Sequence, residues 1–391
     1  MSPTGRPKGE YRSTQPEGTP VSRDPAPAIA EDAALASLRT RIDAVDRELL
    51  ALLNRRAGLA QEVGELKKAA GTPVFRPERE AQVIEGLKAA NPGPLPAAAV
   101  APIWREVMSA CRALERTLRI ACLGPAGTFS EEAALGYFGS SIERVLCASI
   151  DEVFRSTAAG AADYGVVPVE NSTEGVVARS LDLFLHTPLT VVGETSLFVR
   201  HNLLRREPGL GGVRAVLAHP QALAQCNAWL SAHLPQAERR PALSNAEGAR
   251  LAGLDASLAA IAGRRAANEY GLHLVAPAIQ DDAHNRTRFA IVADPALHAA
   301  PKASGHDCTS LVVSVVNRPG AVHDMLVPLK THGVSMTRFE SRPARSGQWE
   351  YYFYIDLQGH PDEPHVADAL RELRAACAFF KVLGTYPVDQ H

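Results

Sequence analysis

Apolar residues recur every three or four positions through the N-terminal part of the chain. They fall at Leu35, Leu38, Ile42, Val45, Leu49, Leu52, Leu59, Val63 and Leu66. This spacing places them on one face of a helix, so the pattern predicts a single long helix with an apolar seam. The seam is interrupted at Arg56. An arginine there either extends to solvent or meets an anion, because an unpaired buried charge is very costly.

The spacing of three basic residues in this predicted helix decides which of them one small ligand can contact. Lys67 returns to nearly the same face as Arg56, about 16 Å further along the axis, and two such cations suit a small dianion. Arg39 lies ~42 Å from Lys67 and ~25 Å from Arg56 along a continuous helix, and no small ligand spans those distances. If Arg39 joins the same pocket, it comes from a partner chain that runs antiparallel. A shared site therefore implies a homodimer or a higher homo-oligomer.

Two shorter helical patterns follow within residues 31–115. Pro77 suits the first turn of a helix that carries Arg79 and Glu80, and the Asn-Pro-Gly-Pro run at 91–94 ends it. The next pattern ends at Glu115 and has these apolar residues on one face: Val100, Trp104, Val107, Cys111 and Leu114. Three helices in about 85 residues make a thin core, which also favours dimerisation.

The segments LRTRIDAVDRELLALLNRR, VGELKK and RPEREAQV make residues 31–115 resemble the all-helical chorismate mutases. The resemblance implies that Arg56, Arg79 and, from the partner chain, Arg39 hold the two carboxylates of chorismate. It places Lys67 and Glu115 beside the ether oxygen whose bond breaks. The rearrangement needs no nucleophile, so the protein has to fix the reactive conformer and stabilise charge on that oxygen. Bidentate guanidinium groups suit carboxylates, and a lysine suits a point of charge.

Two positions depart from the family pattern. Many members have Gln where this chain has Glu115, and an ionised carboxylate repels the ether oxygen. We therefore expect Glu115 to act only when it is protonated. Arg76 stands where some relatives have an acid that helps to hold the substrate hydroxyl, which leaves Glu80 for that contact.

Residues 118–295 alternate strand and helix patterns, which is typical of an α/β domain. The apolar run LRIACL leads into a Gly-rich turn that carries Thr128 and precedes a helix, an arrangement that suits either an anion or a simple cap. A strand over 164–169 is followed by Glu170, Asn171 and Ser172, which either line a ligand site or only cap the strand. The chain has neither GxGxxG nor GK(S/T), which argues against nucleotides.

Two further polar groups occur later in this module. A turn at His219 precedes a helix that carries Gln225, and the histidine suits either the turn or catalysis. Thr287 and Arg288 belong to the cluster Asn-Arg-Thr-Arg, which is followed by a buried strand pattern beginning at Phe289. Cations beside a hydroxyl favour an anion pocket, although a solvated loop has the same composition.

The segments GPAGTFS, DYGVVPVENSTEG, HPQALAQC and NRTRF occur in this order and resemble the prephenate dehydratases. The resemblance implies two α/β lobes with the site in the cleft, similar to periplasmic-type binding proteins. It makes Thr287 the catalytic hydroxyl, Arg288 a ligand of a substrate carboxylate and Phe289 part of the wall. Other residues expected to line the cleft are Glu170, Asn171, Ser172, Gln225 and Thr128. Glu170 is the candidate proton source for the departing hydroxyl, and Ala218 offers no hydroxyl where some relatives have Ser.

Residues 308–391 follow the order strand, helix, strand, strand, helix, strand, which predicts a ferredoxin-like α+β domain. The segments Asn317–Val322 and Glu340–Pro343 resemble the two motifs of phenylalanine-sensing ACT domains. This resemblance implies feedback inhibition by phenylalanine bound between paired domains. The expected contacts are Asn317, Gly320, Ala321, Val322, Glu340, Ser341, Arg342 and Pro343. Thr337-Arg338-Phe339 repeats the catalytic tripeptide, and we assign it to a strand without a catalytic role.

Composition narrows the classes of protein further. The net charge of −2 gives no reason to expect nucleic acid as a partner, and no apolar run is long enough to span a membrane. The six cysteines are scattered, which predicts reduced thiols in a cytoplasmic protein. Neither a metal nor another cofactor is expected. Residues 1–30 hold six prolines and three glycines and predict a disordered tail.

Together the three resemblances imply a multidomain bifunctional enzyme of phenylalanine biosynthesis. It would rearrange chorismate to prephenate, convert prephenate to phenylpyruvate and be inhibited by phenylalanine. Two alternatives stay open at this point. One is an amino-acid-sensing binding protein, in which the helical part serves only for dimerisation. The other is a dehydratase with a vestigial mutase domain.

Overall fold

The computed structural model describes residues 26–69, 75–296, 302–344 and 351–388, with side chains from residue 32 onward. The predicted disordered tail lies outside these residues up to position 25. Its last part, 26–30, is helical instead. The segment APAIA is rich in alanine, which favours helix, and Pro27 lies in the first turn, where a proline is tolerated.

The N-terminal module is helical, as predicted. Its helices are α1 (Ala26–Ala69), α2 (Pro77–Ala90) and α3 (Ala97–Glu115). The chain divides into two compact units inside α1, Met1–Arg55 and Arg56–His391. The apolar seam is exposed on both parts of α1: Leu38 is 49%, Ile42 59% and Leu66 72% exposed. Among the described residues, no helix has the length and apolar character needed to cross a membrane.

The central module forms two α/β lobes, as predicted. The strands of the first lobe are β1 (Leu118–Leu123), β2 (Ile142–Cys147), β3 (Tyr164–Asn171), β4 (Gly175–Val176), β5 (Thr190–Phe198) and β11 (Arg286–Ala293). Its helices are α4 (Phe129–Phe138), α5 (Ile150–Ala158) and α6 (Ala178–His186). The sheet order is β2-β1-β3-β11-β5, with β4 beside β3. Strand β11 is antiparallel to both of its neighbours.

The second lobe is inserted between β5 and β11. Its strands are β6 (Asn202–Arg205), β7 (Ala215–Ala218), β8 (Glu238–Pro241), β9 (Leu258–Ala262) and β10 (His273–Ala276), in the sheet order β10-β6-β9-β7-β8. Its helices are α7 (Pro220–Gln225), α8 (Asn227–His233), α9 (Asn245–Leu254) and α10 (Arg264–Tyr270). Because the chain enters this lobe after β5 and returns in β11, two crossings connect the lobes and leave a cleft between them.

The third domain has the predicted βαββαβ order. Its elements are β12 (Asp307–Ser314), α11 (Ala321–Thr331), β13 (Met336–Pro343), β14 (Tyr351–Gln358), α12 (Pro364–Ala376) and β15 (Phe379–Pro387). The sheet order is β13-β14-β12-β15, so β13 lies at an edge. The repeated tripeptide lies on β13, as predicted, and the Thr337 hydroxyl donates to the main-chain oxygen of Asp356 at 3.2 Å.

The third domain packs on the first lobe through a shared core. Val312, Leu383 and Tyr386 belong to the same buried cluster as the first-lobe residues around β3 and α6. Lys381 adds polar contacts, since its Nζ donates to the main-chain oxygens of Phe184 at 2.7 Å and of Thr187 at 2.8 Å. These contacts fix the third domain against the sheet that carries the cleft residues.

The helical module is anchored to the first lobe by Phe75. This side chain is 2% exposed, and its ring lies 5.4 Å from that of Tyr164 and 5.0 Å from that of Phe138. The Arg112 guanidinium lies 4.8 Å from the centre of the Phe75 ring and donates to the main-chain oxygen of Phe138. The start of α2 and the end of α3 are thereby tied to the core of the first lobe.

Candidate active sites

A cavity of about 580 Å³ lies between the two lobes. Its polar lining includes Thr128, Asn171, Glu174, His201, His219, Gln225, Ser244, Asn285 and Thr287. The first turns of α4 and α9 also reach the cavity, through Ser130 and Asn245 among others. The N–H groups of a first helical turn have no partner inside the helix, so both helix ends bring positive potential to the cavity.

The register of β3 against β11 decides which residues reach this cavity. Thr287 is paired with Asn171, and Arg288 is paired with Glu170. Successive side chains of a strand point to opposite faces of the sheet. Asn171 and Thr287 line the cavity, whereas the next pair faces the third domain, where Arg288 lies 3.1 Å from Asp356.

The structure differs from the sequence-based prediction at Arg288. Its guanidinium lies 3.2 Å from Glu194, 3.2 Å from Glu170 and 3.1 Å from Asp356, so its hydrogen-bonding capacity is directed away from the cavity. Burial acts to lower the pKa of Arg288, but the carboxylates of Glu194 and Asp356 raise it above its ordinary value. Arg288 is therefore a charged structural group, and it does not lie where it could bind a substrate carboxylate in the cavity.

Glu170 and Phe289 also differ from their predicted positions. Glu170 Oε2 lies 3.2 Å from Arg288 and 3.3 Å from Arg338, on the face opposite to the Thr287 hydroxyl. It is therefore not placed to protonate a group in the cleft. Phe289 is 1% exposed and belongs to the buried core of the first lobe. Its ring packs in that core instead of forming the cavity wall.

Four polar side chains close a ring of hydrogen bonds at the cavity wall. Asn171 Nδ2 donates to Asn285 Oδ1 at 2.8 Å, and Asn285 Nδ2 donates to Gln225 Oε1 at 2.9 Å. Gln225 Nε2 then donates to Glu174 Oε1 at 3.1 Å. The ring closes because the main-chain N–H of Glu174 donates to Asn171 Oδ1 at 3.1 Å. Gln225 and Asn171 thus lie where the sequence predicts, while the contribution of Glu174 is new.

This ring fixes the orientation of the Asn171 amide, and with it that of Thr287. Asn171 Oδ1 accepts from the main-chain N–H groups of Thr173 and Glu174, which can only donate. Its Nδ2 therefore faces the other way and donates to Thr287 Oγ1 at 2.8 Å. Because Thr287 accepts from Asn171, its own hydroxyl hydrogen is directed elsewhere. The hydroxyl is thus set up as a donor on the cavity side.

His201 is a cavity residue that sequence reasoning missed. It is 3% exposed, and its Nε2 lies 3.0 Å from Gln225 Oε1. Burial lowers the pKa of His201. Because an amide oxygen can only accept, Nε2 is the ring nitrogen that donates to Gln225 Oε1. Within the described part of the chain its Nδ1 has no hydrogen-bond partner. No motif surrounds this residue, and its position just before the buried strand β6 is the only signal that the sequence offers.

The remaining two predicted residues, Thr128 and Ser172, make hydrogen bonds to main-chain groups beside the cleft. The Thr128 hydroxyl donates to the main-chain oxygen of Leu123 at 2.6 Å and accepts from the N–H of Glu131 at 3.3 Å, which caps α4. It also lines the cavity. Ser172 Oγ accepts from the N–H of Arg286 at 2.9 Å and so ties the end of β3 to the start of β11. Ser172 itself is exposed.

In the helical module, the ends of α1 and α3 lie side by side. A Cβ at Gly64 would lie 2.6 Å from Cγ of Glu115, so the glycine makes room for the carboxyl group. Burial raises the pKa of Glu115, against the opposing effect of Lys67. Glu115 Oε2 is buried without a hydrogen-bond partner in the part of the chain that the structure describes. Burial thus shifts this carboxyl group toward its neutral form, which is the direction that the sequence-based hypothesis needs.

The other candidate residues of the mutase site differ in burial and in ion pairing. Glu80 is ion-paired with buried Arg112, and burial raises the pKa of Glu80 against the effect of Arg112 and of the more distant Arg56. Arg56 is partly buried, while Arg79 is exposed on α2. Arg39 is exposed on the first unit. In a single chain, Lys67, Glu80 and Glu115 contact neighbouring residues. Arg39 and Arg79 are exposed, and Arg56 is only partly buried.

The two predicted effector segments lie on the surface of the third domain. Gly320 has φ +79°, a conformation that favours glycine, and it directly precedes α11. Asn317 and Val322 are exposed beside it, and Ala321 is 8% exposed. The second segment lies on edge strand β13, where Glu340 is partly buried, Ser341 and Pro343 are exposed, and Arg342 lies 3.1 Å from Asp182 of α6.

Comparisons with known proteins match the chain in three consecutive parts. Family models match as chorismate mutase type II over 38–116, prephenate dehydratase over 120–296 and ACT domain over 309–375. The chain is 48% identical over 359 residues to a bifunctional chorismate mutase/prephenate dehydratase of Neisseria gonorrhoeae, which covers 91% of this chain and 98% of that protein. The protein of that name from Pseudomonas aeruginosa is 44% identical over 365 residues and covers 92% and 99%.

A solved structure is also similar. The prephenate dehydratase from Arthrobacter aurescens in complex with L-Phe is 34% identical, with a TM-score of 0.63 over 69% of this chain and 90% of that chain. The fold and the cleft thus define a multidomain enzyme that joins a helical mutase-type domain, a two-lobed lyase-type domain and an ACT domain. The chain belongs to the family of bifunctional chorismate mutase/prephenate dehydratases. The interpretation as a binding protein without activity is discarded.

The orientation of Thr287 leads to a first prediction. We expect Thr287→Val to lower dehydratase kcat by roughly 10²–10⁴-fold, because valine keeps the volume but cannot donate a hydrogen bond. Phenylpyruvate formation from prephenate measures the effect. The matched control is Thr337→Val in the repeated tripeptide, whose hydroxyl bonds to the main chain of β14. Activity retained in Thr287→Val, or lost equally in both variants, would contradict the assignment.

The raised pKa of Glu115 leads to a second prediction. In the role expected for Glu115 the neutral form is the donor, so the donor would be present below this pKa and lost as pH rises through it. We expect kcat/KM for chorismate to fall as pH rises, and Glu115→Gln to flatten the profile. Glu85→Gln is the control, because Glu85 is a 63% exposed carboxylate on α2. An unchanged pH profile in Glu115→Gln would refute the role.

Proposed function

We propose that Thr287 donates a hydrogen bond to the C4 hydroxyl of prephenate as that group leaves. The bond from the ring to its carboxylate breaks, its electrons enter the ring, and the C4–O bond breaks as carbon dioxide and hydroxide depart. The gain of aromaticity drives the reaction, so the protein mainly assists the leaving oxygen. The proposal rests on the orientation of the Asn171 amide, which makes Thr287 an acceptor from Asn171 and leaves its own hydrogen free to be donated to the substrate.

The charge distribution around the cavity supports this proposal. The residues that line it, as far as the structure describes them, include no lysine or arginine. A carboxylate that leaves as carbon dioxide loses its charge, so a strong ion pair would stabilise the ground state more than the transition state. The first turns of α4 and α9 offer weaker partial charges for the substrate carboxylates. Glu174, which lines the cavity, replaces Glu170 as the candidate proton source.

For the mutase reaction, we propose a site shared between two chains. Arg56, Arg79 and Arg39 of the partner chain would hold the carboxylates of chorismate, and Lys67 and neutral Glu115 would face the ether oxygen. Arg112 holds Glu80 beside them for the substrate hydroxyl. Support for a homodimer comes from α1, since its half-exposed apolar seam is what a partner helix would cover. A buried seam of this kind is the usual source of helical stability.

We further propose phenylalanine as the effector and the cytoplasm as the compartment. The relative from Arthrobacter aurescens was solved in complex with L-Phe. The segments Asn317–Val322 and Glu340–Pro343 are the candidate contacts, because they lie on the surface, where a second ACT domain could complete the site. Burial raises the pKa of the Cys122 and Cys226 thiols to about 12, which suits reduced, unreactive cysteines.

A coupled assay tests both activities of one preparation. Purified protein supplied with chorismate is expected to form prephenate and then phenylpyruvate, and added phenylalanine is expected to slow the second step. Arg56→Ala should block chorismate consumption but still convert prephenate, because the two sites are separate. Thr287→Val should accumulate prephenate. If the unmodified chain converts prephenate but leaves chorismate untouched, the mutase domain is vestigial.

The shared mutase site makes a separate prediction. Arg39→Ala and Arg56→Ala chains should each be inactive, because each lacks one arginine at every site. Mixed under conditions that exchange subunits, they should regain about a quarter of wild-type mutase activity, since half of the dimers are mixed and each holds one intact site. Recovery is measured as chorismate consumption. No recovery after verified exchange would show that both arginines act within one chain.

A further inference from the structure

Five charged side chains meet where the third domain packs on the first lobe. We call them the junction cluster: Glu170, Glu194 and Arg288 from the first lobe, and Arg338 and Asp356 from the third domain. Both terminal nitrogens of Arg288 lie 3.1 Å from Asp356 Oδ2. Arg338 Nε lies 3.3 Å from Glu170 Oε2, and its Nη1 lies 3.9 Å from Asp356 Oδ2. Each domain thus supplies charges that the other needs.

Hydroxyl groups hold this cluster in one arrangement. Ser310 Oγ donates to Asp356 Oδ1 at 2.6 Å, and the Tyr386 hydroxyl donates to Glu194 Oε2 at 3.2 Å. Asp356 is 4% exposed, so a change in its surroundings is poorly screened by water. Buried ion pairs often add little to stability because desolvation opposes them. Their geometry nevertheless makes the cluster sensitive to small movements of either domain.

On the first-lobe side, the cluster is one residue away from the catalytic pair. Glu170 and Arg288 face each other across β3 and β11, directly beside the pair Asn171 and Thr287. A pull on the outer pair therefore moves the peptide units that carry the inner pair. The Asn171–Thr287 hydrogen bond is 2.8 Å long, and a shift of about 1 Å would break it. Loss of that bond would release the hydroxyl from its donor orientation.

On the third-domain side, the cluster is continuous with the candidate effector strand. Arg338, Glu340 and Arg342 alternate along β13 and share one face. Arg338 reaches Glu170, and Arg342 reaches Asp182 of α6. The face of β13 that carries Glu340 therefore contacts the first lobe on both sides of that residue. Movement of this strand changes what Glu170 contacts.

We propose that Arg338 is a positioning residue that transmits effector binding on β13 to the dehydratase site through Glu170 and Arg288. The inference rests on the proposed role of phenylalanine as effector. Effector contact at Glu340–Pro343 shifts β13, Arg338 pulls Glu170 with the strand, and the neighbouring Asn171–Thr287 pair loses its alignment; without the Arg338 charge there is no pull. Coupling of this kind typically changes an affinity by roughly 5–150-fold.

The test removes the charge of Arg338 while keeping the main-chain pairing of β13 with β14. In Arg338→Gln we expect kcat/KM for prephenate without phenylalanine to stay within about threefold of wild type, because Arg288 keeps its other partners. Phenylalanine should still bind, as measured by calorimetry on the full chain. The ratio of kcat/KM without and with saturating phenylalanine should fall at least about fivefold. Arg338→Lys should restore part of that ratio.

The matched control is Lys381→Met, which weakens the same interface at α6 without touching the junction cluster. It should keep the wild-type inhibition ratio. Full inhibition of Arg338→Gln, or equal loss in both variants, would overturn the inference alone. Loss of phenylalanine binding in both Arg338→Gln and Arg338→Lys would place Arg338 in the effector site and also overturn it. If the wild-type chain neither binds nor responds to phenylalanine, the effector assignment fails first and the inference fails with it.

Discussion

The alternation of side chains along two neighbouring strands is the constraint on which this dehydratase domain depends. Strands β3 and β11 are paired in one register, so Asn171 and Thr287 face the cleft while Glu170 and Arg288 face the ACT domain. A slip of one residue would exchange these roles and place a guanidinium where the reacting hydroxyl belongs. The proposed catalytic group and the proposed regulatory contacts therefore lie on the two faces of the same few residues.

The cleft side of this arrangement works largely with neutral groups. In the hydrogen-bonded ring of Glu174, Asn171, Asn285 and Gln225, each group can act only as donor or only as acceptor toward its neighbour. The order is fixed because the main-chain N–H of Glu174 can only donate to Asn171 Oδ1. Such a preorganised ring needs no rearrangement when the substrate arrives, which is the main advantage of fixed dipoles in catalysis. The charged groups, by contrast, are collected behind the sheet, where they bind the domains together.

Most of the architecture is legible in the sequence, because periodicity and chain order determine it. The long helix, the α/β character of the central module, the βαββαβ domain and the strand position of Thr337 follow from local pattern, whereas the division into two lobes was implied only by the resemblance. The resemblance located Asn171, Gln225 and Thr287 but misplaced Arg288 and Glu170, since a motif records which residues are adjacent and not which face they share. Strand alternation would have separated these neighbours. The cavity positions of His201 and Glu174 depend also on contacts with Gln225 of another segment, which periodicity alone does not reveal.

Phe75 has a consequence for how this protein can be divided. Its ring is part of the first-lobe core, although it belongs to the segment that leads into α2. A fragment that began at β1 would lack this plug and would expose the rings of Phe138 and Tyr164 to water. The junction between the two enzymes is therefore a packed interface and not a flexible linker. Separating them would leave an apolar cavity exposed on the surface of the dehydratase domain.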